Sequence, residues 1–289
     1  MIQALKRYKW PYLFIMPFFL LFLIFQLIPN IFTVVISLTK WNAIAKPQYV
    51  GLKNYQLLFC DQMFWDATWN TFIYWLISGI IIIVLALFIG SLLTSKQLKI
   101  KKIYSTITFL PNVCAVISMA IIFKLFFDTN EGLFNSILVS VGIPKQEWIT
   151  GASLSKIPVI FLYSWRNIPW YTMIIVSGLL NISPDFYEAA HVDGANTVQQ
   201  FFKITLPSLS NVLFFCFITL TSDAWKIFNE SYMLKGPSTS NISLFQYMYD
   251  SGFTIFKMGY ASAIGVVLTV ILLVVSIVQF IIRKRQGEV

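Results

Sequence analysis

The sequence predicts an all-α integral membrane protein with six transmembrane helices and both termini in the cytoplasm, and three observations carry this prediction. Hydrophobic residues make up 57% of the 289 positions and charged residues only 11%, whereas soluble domains carry about 25% charged residues. Several stretches without charge are long enough for an α-helix to cross the hydrocarbon core, which takes about 20 residues. Basic residues are dense at alternate span ends, as expected when positive charge stays inside.

The stretches with few charges place six spans in one transmembrane domain that covers residues 1–289. The first apolar run is too long for a signal sequence and no small-residue cleavage site follows it, so we expect it to remain as a span. The run between Lys156 and Asp185 contains a single charge, Arg166. The spans are expected near residues 12–36, 71–93, 104–127, 157–180, 206–227 and 259–282.

The density of lysine and arginine sets the predicted orientation. Four lysines fall within residues 96–102, and three basic residues occupy 283–285. The loops assigned to the outside spread their lysines singly and mix them with acidic residues such as Asp61, Asp128 and Glu147. Segments 94–103 and 181–205 are therefore expected in the cytoplasm together with both termini.

Composition also excludes several classes of function. The single histidine, His191, and three scattered cysteines do not have the spacing of a metal or redox site. No phosphate-binding loop of the G-x-x-x-x-G-K-[ST] type and no catalytic dyad is present, so we expect no catalytic residue, no metal and no cofactor in this chain. The net charge of +9 follows from basic span ends and does not indicate nucleic-acid binding.

The cytoplasmic segment 181–207 carries strong local signals for two short helices. Ser183 is a good N-cap, Pro184 suits the first helical position, and Asp185 complements the helix dipole. Gly194 suits the left-handed residue that ends such a helix, and Asn196 or Thr197 can cap the next one. From the residues alone, this segment is either a docking element for another protein or an amphipathic connector that rests on lipid headgroups.

The run EAAHVDGANTVQQFFKITLP at 188–207 resembles the EAA loop of permease subunits in binding-protein-dependent ABC importers. An aspartate before the glycine and an alanine after it are similar to the carbohydrate branch, the maltose-type permeases. Further similarity lies at Val50–Tyr55 and Gly259–Ala263, whereas Lys235-Gly236-Pro237 stands where members often carry Gly-Gly-Pro. The matching residues that the resemblance assigns to ATPase coupling are Glu188, Ala189, Ala190, Asp193, Gly194 and Ala195.

This resemblance implies a type I ABC importer permease fold, located in the bacterial cytoplasmic membrane as a multi-pass protein. It implies uptake of a carbohydrate, with an oligosaccharide as the expected cargo. The implied partners are a second homologous permease, two ATPase subunits that bind ATP and Mg, an extracytoplasmic sugar-binding protein and membrane lipid.

Polar residues inside the fourth and fifth spans are the candidates for a substrate pathway, because such residues are costly in lipid. Their spacings of three, four and seven put each set on one helical face. Arg166 could pair with Asp223 between helices, and Lys226 with Asp223 or Glu230. The alternative is that these residues join helices or reach the interface without touching substrate. The predicted pathway residues are Tyr163, Arg166, Asn167, Trp170, Thr219, Ser222, Asp223 and Lys226.

Two other classes of membrane protein compete with this interpretation. A secondary transporter working without an ATPase would be expected to show internal repeats and broken midplane helices, and no clear repeat is found. An intramembrane enzyme would need a paired acid, base or metal constellation, which the spans do not show.

Overall fold

The computed structural model describes residues 9–95 and 101–285, and these ranges are largely helical. Residues 96–100, part of the predicted cytoplasmic segment 94–103, lie outside the described ranges. The helices up to the fourth predicted span are α1 Lys9–Phe22, α2 Ile28–Ser37, α3 Lys53–Phe59, α4 Gln62–Thr94, α5 Lys101–Val113, α6 Val116–Phe126, α7 Leu133–Ser140 and α8 Lys156–Leu180. The later helices are α9 Pro184–Val192, α10 Thr197–Gln200, α11 Leu206–Ser208, α12 Ser210–Ala224, α13 Asn229–Met233, α14 Leu244–Tyr249 and α15 Met258–Arg285.

Short π-helical turns and one hairpin complete the secondary structure of the described ranges. The π-helical turns are Leu23–Leu27, Phe201–Thr205 and Asp250–Thr254. Two short strands, β1 Thr39–Lys40 and β2 Gln48–Tyr49, pair antiparallel, with Thr39 opposite Tyr49.

Three helical stretches in the described ranges are long and apolar enough to cross a membrane, and two bent helix pairs raise that number to as many as five. The three are Tyr12–Ser37, Gln62–Thr94 and Met258–Lys284, which coincide with the first, second and sixth predicted spans. Helix α8 matches the fourth predicted span in position and length. Its polar residues, including Arg166 and Asn167, lower its mean hydropathy below that of the three helices named above.

The third and fifth predicted spans are broken, which corrects the expectation of one continuous helix for each. Ser105–Val113 and Val116–Phe126 meet at 98°, and Thr197–Ser208 meets Ser210–Ala224 at 66°. Each bend follows a proline, Pro111 or Pro207. Proline has no N–H for the i→i−4 bond and its ring crowds the turn before it, so each of these helices is weakened close to its bend. Helix α12 also ends at Ala224, before the predicted limit at 227.

The described residues group into two compact units, and the first consists of residues up to Asp61 together with Met248–Val270. Its hairpin is held by Asn54, whose amide donates to the carbonyl oxygens of Ser37 and Thr39, each at 2.8 Å. The Gly259 N–H donates to Trp41 O at 3.3 Å, and a Cβ on Gly259 would overlap the Thr39 carbonyl oxygen. The similarity at Gly259–Ala263 therefore has a packing reason.

The second unit consists of Gln62–Tyr247 together with residues from Ile271 onward. Its core is apolar and includes the fully buried Ile82, Leu162 and Ile175. Polar links run between its helices as well. The Trp75 indole and the Gln279 amide both donate to the Thr221 hydroxyl, at 2.9 Å and 2.7 Å, which joins α4, α12 and α15.

The segment 234–243 folds into this second unit and explains why a glycine stands at 236. Asn241 accepts a hydrogen bond from Gly236 N at 2.8 Å and donates to Leu234 O at 2.7 Å. A Cβ at Gly236 would lie 2.6 Å from the Ser155 Cβ, closer than carbon atoms can approach. The segment consequently packs tightly against the start of α8.

Candidate functional site

Helix α9, in the centre of the predicted coupling loop, begins as the sequence predicts. The Ser183 hydroxyl accepts a hydrogen bond from Asp185 N at 3.3 Å, and Pro184 occupies the first turn. Asp185 lies in the same turn, where its charge complements the dipole. The following helix is capped by Asn196, one of the two residues proposed for that role, which forms a reciprocal capping box with Gln199.

The turn after α9 is a Schellman motif. Ala195 N donates to Ala190 O at 2.9 Å and Gly194 N donates to His191 O at 3.0 Å, which satisfies two carbonyl groups at the helix end. Gly194 has φ +78°, the left-handed region that side chains disfavour. A Cβ at this glycine would meet nothing within 4 Å in this chain, so backbone conformation rather than internal packing favours glycine there.

The outer surface of α9 is accessible. The helix contains no buried residue, and a hydrogen bond of 2.9 Å between the Tyr187 and Thr205 hydroxyls ties it to the base of the fifth span. Tyr187 was not singled out from the sequence, since a tyrosine in a short amphipathic helix gives no specific signal. The predicted coupling residues form one contiguous exposed or half-exposed patch: Glu188, Ala189, Ala190, Asp193, Gly194 and Ala195.

At the predicted pathway, Arg166 on α8 pairs with Glu230 on α13 rather than with Asp223. Arg166 Nη2 lies 3.3 Å from Glu230 Oε1, and only 3% of the Glu230 side chain is exposed. This corrects the expected Arg166–Asp223 pair. The physical reason is the end of α12 at Ala224, after which the chain turns and starts the separate helix α13. Glu230 therefore does not continue the helical face that carries Thr219 and Asp223.

Asp223 instead pairs with Lys226, one of the two arrangements proposed for that lysine. Lys226 Nζ lies 3.7 Å from Asp223 Oδ1, and both side chains are about half exposed. Such a pair is screened by water and contributes little to stability. The positive charge of Lys226 nevertheless neutralises the negative charge of Asp223 at this end of α12.

Two tyrosines on α8 complete this group. Tyr163 lies close enough to Arg166, Asp223 and Glu230 for electrostatic interaction, and Tyr171, which the sequence reasoning missed, lies beside Thr219 and Asp223. Both side chains are at most 3% exposed, and neither hydroxyl forms a hydrogen bond of good geometry within the described ranges. We call the following residues the polar cluster: Tyr163, Arg166, Tyr171, Asp223, Lys226 and Glu230.

The other predicted pathway residues are placed less centrally. The Asn167 amide donates to Tyr163 O at 2.8 Å, and the Thr219 hydroxyl donates to Phe215 O at 2.9 Å. Each of these donors is therefore engaged by a carbonyl oxygen of its own helix. Ser222 is half-buried. Trp170 is 49% exposed.

A cavity of about 410 Å³ lies near the other end of α8, away from the polar cluster. Ser177 and Asn181 line it on α8, and Asn211 and Phe215 line it on α12. Close approach of these helices is permitted by Gly178, where a Cβ would lie 2.9 Å from a Val212 methyl group on α12. The cavity adjoins the start of the coupling loop at Asn181.

Comparison with known proteins gives a consistent result. The model of the family described as binding-protein-dependent transport system inner membrane component matches residues 82–288. The probable ABC transporter permease protein YurN of Bacillus subtilis is 34% identical over 284 residues, covering 96% of this chain and 97% of YurN. The arabinooligosaccharides transport system permease protein AraP of the same organism is 35% identical over 273 residues, covering 93% of this chain and 87% of AraP.

Among solved structures, a chain of a bacterial ABC transporter involved in the import of the acidic polysaccharide alginate has a similar fold. The TM-score is 0.83 at 21% sequence identity, and the match covers 98% of both chains. At this identity the likeness concerns the fold.

Proposed function

Since this chain belongs to the family of binding-protein-dependent transport system inner membrane components, we propose that it forms, with a second and homologous permease, the path by which an oligosaccharide crosses the membrane. The chain is a multi-pass inner-membrane permease subunit of an ABC importer for sugars, and the subunit itself is not catalytic. A secondary transporter acting alone is not compatible with membership of this family.

The finer topology has six spans with both termini in the cytoplasm. Three apolar helices and two bent pairs, each counted as one span, account for five spans. Helix α8, which is less apolar, is the sixth. An even number of spans keeps the termini on one side, where the basic residues of the 96–102 and 283–285 segments are densest. The whole of 1–289 then acts as one permease domain.

The coupling role belongs to the patch Glu188–Ala195. The observation that carries this proposal is a short exposed helix, capped at both ends and tied to the base of the fifth span through Tyr187 and Thr205. A rigid, capped helix transmits displacement better than a flexible loop. Two ATPase subunits dock here, and ATP and Mg bind to those subunits.

The polar cluster serves as the substrate pathway of this chain. The buried Tyr163 hydroxyl and Arg166 Nε have no hydrogen-bond partner within the described ranges, which is unusual in folded proteins, and a saccharide supplies hydroxyl groups that would satisfy them. An extracytoplasmic binding protein delivers the saccharide, and closure of the ATPases opens the pathway through rigid rotation of helices.

Co-purification and transport test this function together. The tagged chain, expressed with its neighbouring genes, should purify with a second permease and with ATPase subunits. In proteoliposomes this complex should take up a saccharide only when ATP and loaded binding protein are present. Uptake that persists without any ATPase subunit would contradict the proposal.

A further inference from the structure

The charged residues of the polar cluster form two complete pairs. Arg166 faces Glu230 and Lys226 faces Asp223, so two positive and two negative charges sum to zero. Tyr163 lies on α8, one turn before Arg166, and charges of both pairs contribute to the electrostatic environment of its hydroxyl. Within the described ranges, the cluster therefore presents no uncompensated positive charge.

We propose that this cluster selects uncharged saccharides and disfavours saccharides that carry carboxylate or sulfonate groups; the proposal rests on the assignment of the cluster as the substrate pathway. The fold leaves the matter open, because a transporter of the same fold is involved in the import of the acidic polysaccharide alginate. The side chains of the cluster decide it.

An anionic sugar would need a cation that is free to receive it. The Arg166 guanidinium is committed to a carboxylate that is almost fully buried, and separating a buried pair leaves an uncompensated charge in a poorly solvated place. The more exposed Lys226 is within 4 Å of Asp223, whose carboxylate repels a second anion. Both acids thus disfavour a charged cargo.

The groups that remain free in the cluster suit neutral hydroxyls. The Tyr163 hydroxyl and the Arg166 Nε are buried and form no hydrogen bond within the described ranges. A phenolic hydroxyl both donates and accepts, as a sugar hydroxyl does. A site built to hydrogen-bond hydroxyl groups discriminates strongly, because its own polar groups stay unpaired when the wrong ligand binds.

Lys124 on α6 provides a matched control. Helices α6 and α13 are in contact, yet Lys124 is exposed and forms no ion pair with Asp223 or Glu230. Removing this positive charge should leave the charge preference of the cluster unchanged.

Equilibrium binding to the complete importer tests the proposal. The complex of both permeases and both ATPases is placed in nanodiscs without binding protein, and a labelled neutral arabinotriose is compared with trigalacturonate. We expect the neutral trisaccharide to bind at least about tenfold more tightly, the effect of one unfavourable charge contact at the ionic strength of the assay. Equal binding, tighter binding of trigalacturonate, or no binding of either would overturn the proposal.

Two variants assign any preference to the cluster. Glu230→Gln frees Arg166 and should shift the ratio by about tenfold toward trigalacturonate, whereas Lys124→Gln should not move it. Because Glu230→Gln can impair folding, Asp223→Asn, at an exposed side chain, repeats the test by freeing Lys226. A ratio unchanged in both acid variants would refute the role of the cluster. If the proposed transport function itself were wrong, the complex with binding protein would show no ATP-dependent uptake of any saccharide.

Discussion

Arg166 and Glu230 form an ion pair between α8 and α13, with Nη2 3.3 Å from Oε1 and the carboxylate almost completely buried. The nearby Lys226–Asp223 pair is about half exposed. The two pairs therefore differ in what their removal should do. One holds two helices together, whereas the other chiefly sets the local charge.

Removal of Arg166 should impair both stability and transport. Arg166→Ala leaves the buried Glu230 carboxylate unpaired, at a cost of about 3–5 kcal/mol in the free energy of unfolding. Asp223→Ala removes an exposed pair worth about 0–1 kcal/mol and should reduce sugar uptake without loss of stability. Uptake in proteoliposomes, divided by the amount of assembled complex, measures the transport effect. If the normalised uptake is unchanged in both variants, these residues join helices and the pathway lies elsewhere.

Gly194→Asp should block coupling while the spans remain inserted. Replacing Gly194 by a residue with a side chain costs about 1–2 kcal/mol in the left-handed conformation, and less for aspartate than for most residues. No atom of this chain lies where the new side chain would begin. Gly194→Asn is the matched control, because asparagine tolerates the same backbone but adds no charge next to Asp193. We expect ATPase activity stimulated by loaded binding protein to fall furthest in Gly194→Asp, and Glu188→Ala to do less. Full stimulation and normal uptake in Gly194→Asp would show that this loop is not the coupling element.

Gly259→Ala should destabilise the unit formed by residues up to Asp61 and Met248–Val270. The added Cβ overlaps the Thr39 carbonyl oxygen, so the hairpin must shift, at a cost of about 1–3 kcal/mol as for other overpacked sites. Gly265→Ala is the control: its Cβ would lie 3.1 Å from the flexible Met248 side chain. Thermal unfolding in detergent should show a lower Tm for Gly259→Ala than for Gly265→Ala; equal Tm values would contradict the packing argument.

Asn135 should be essential to the segment between α6 and α8. Its fully buried amide donates to Thr129 O and Gln146 O, each at 2.9 Å, and accepts from the Trp148 indole at 2.9 Å. Asn135→Ala leaves several of these groups unsatisfied, at about 1–3 kcal/mol for each buried one. Limited proteolysis should cut residues 127–155 sooner than in Asn130→Ala, which changes an exposed side chain. Identical cleavage rates would be evidence against this role.

Cysteine labelling tests the orientation. Ile44 and Val192 are 88% and 87% exposed. The protein therefore shields neither residue from a labelling reagent, and any difference in labelling reports the side of the membrane. In a background without Cys60, Cys114 and Cys216, an impermeant reagent applied outside intact cells should label Ile44→Cys and not Val192→Cys. Labelling of Val192→Cys would contradict the assignment of 181–205 to the cytoplasm.

The sequence was sufficient wherever local chemistry decides the structure. The Ser183 cap, the first-turn Pro184 and the left-handed Gly194 depend on neighbours a few residues away, and the structure confirms all three. The helices at the first, second, fourth and sixth predicted spans also appear, because a long apolar run has few alternatives to a helix. Family membership followed from the same motif and is confirmed by the comparisons.

Only the tertiary structure decided which polar groups meet. The Arg166–Glu230 pair, the placement of Tyr171 beside Thr219 and the Tyr187–Thr205 contact involve residues from different elements. Their pairing depends on where helices bend and stop, at the 98° break after Val113 and at the end of α12 at Ala224. The sequence paired Arg166 with Asp223, whereas the chain turns after Ala224 and Glu230 meets Arg166 from a separate helix. Helical spacing, about 100° for each residue, does not predict side-chain direction beyond the end of a helix.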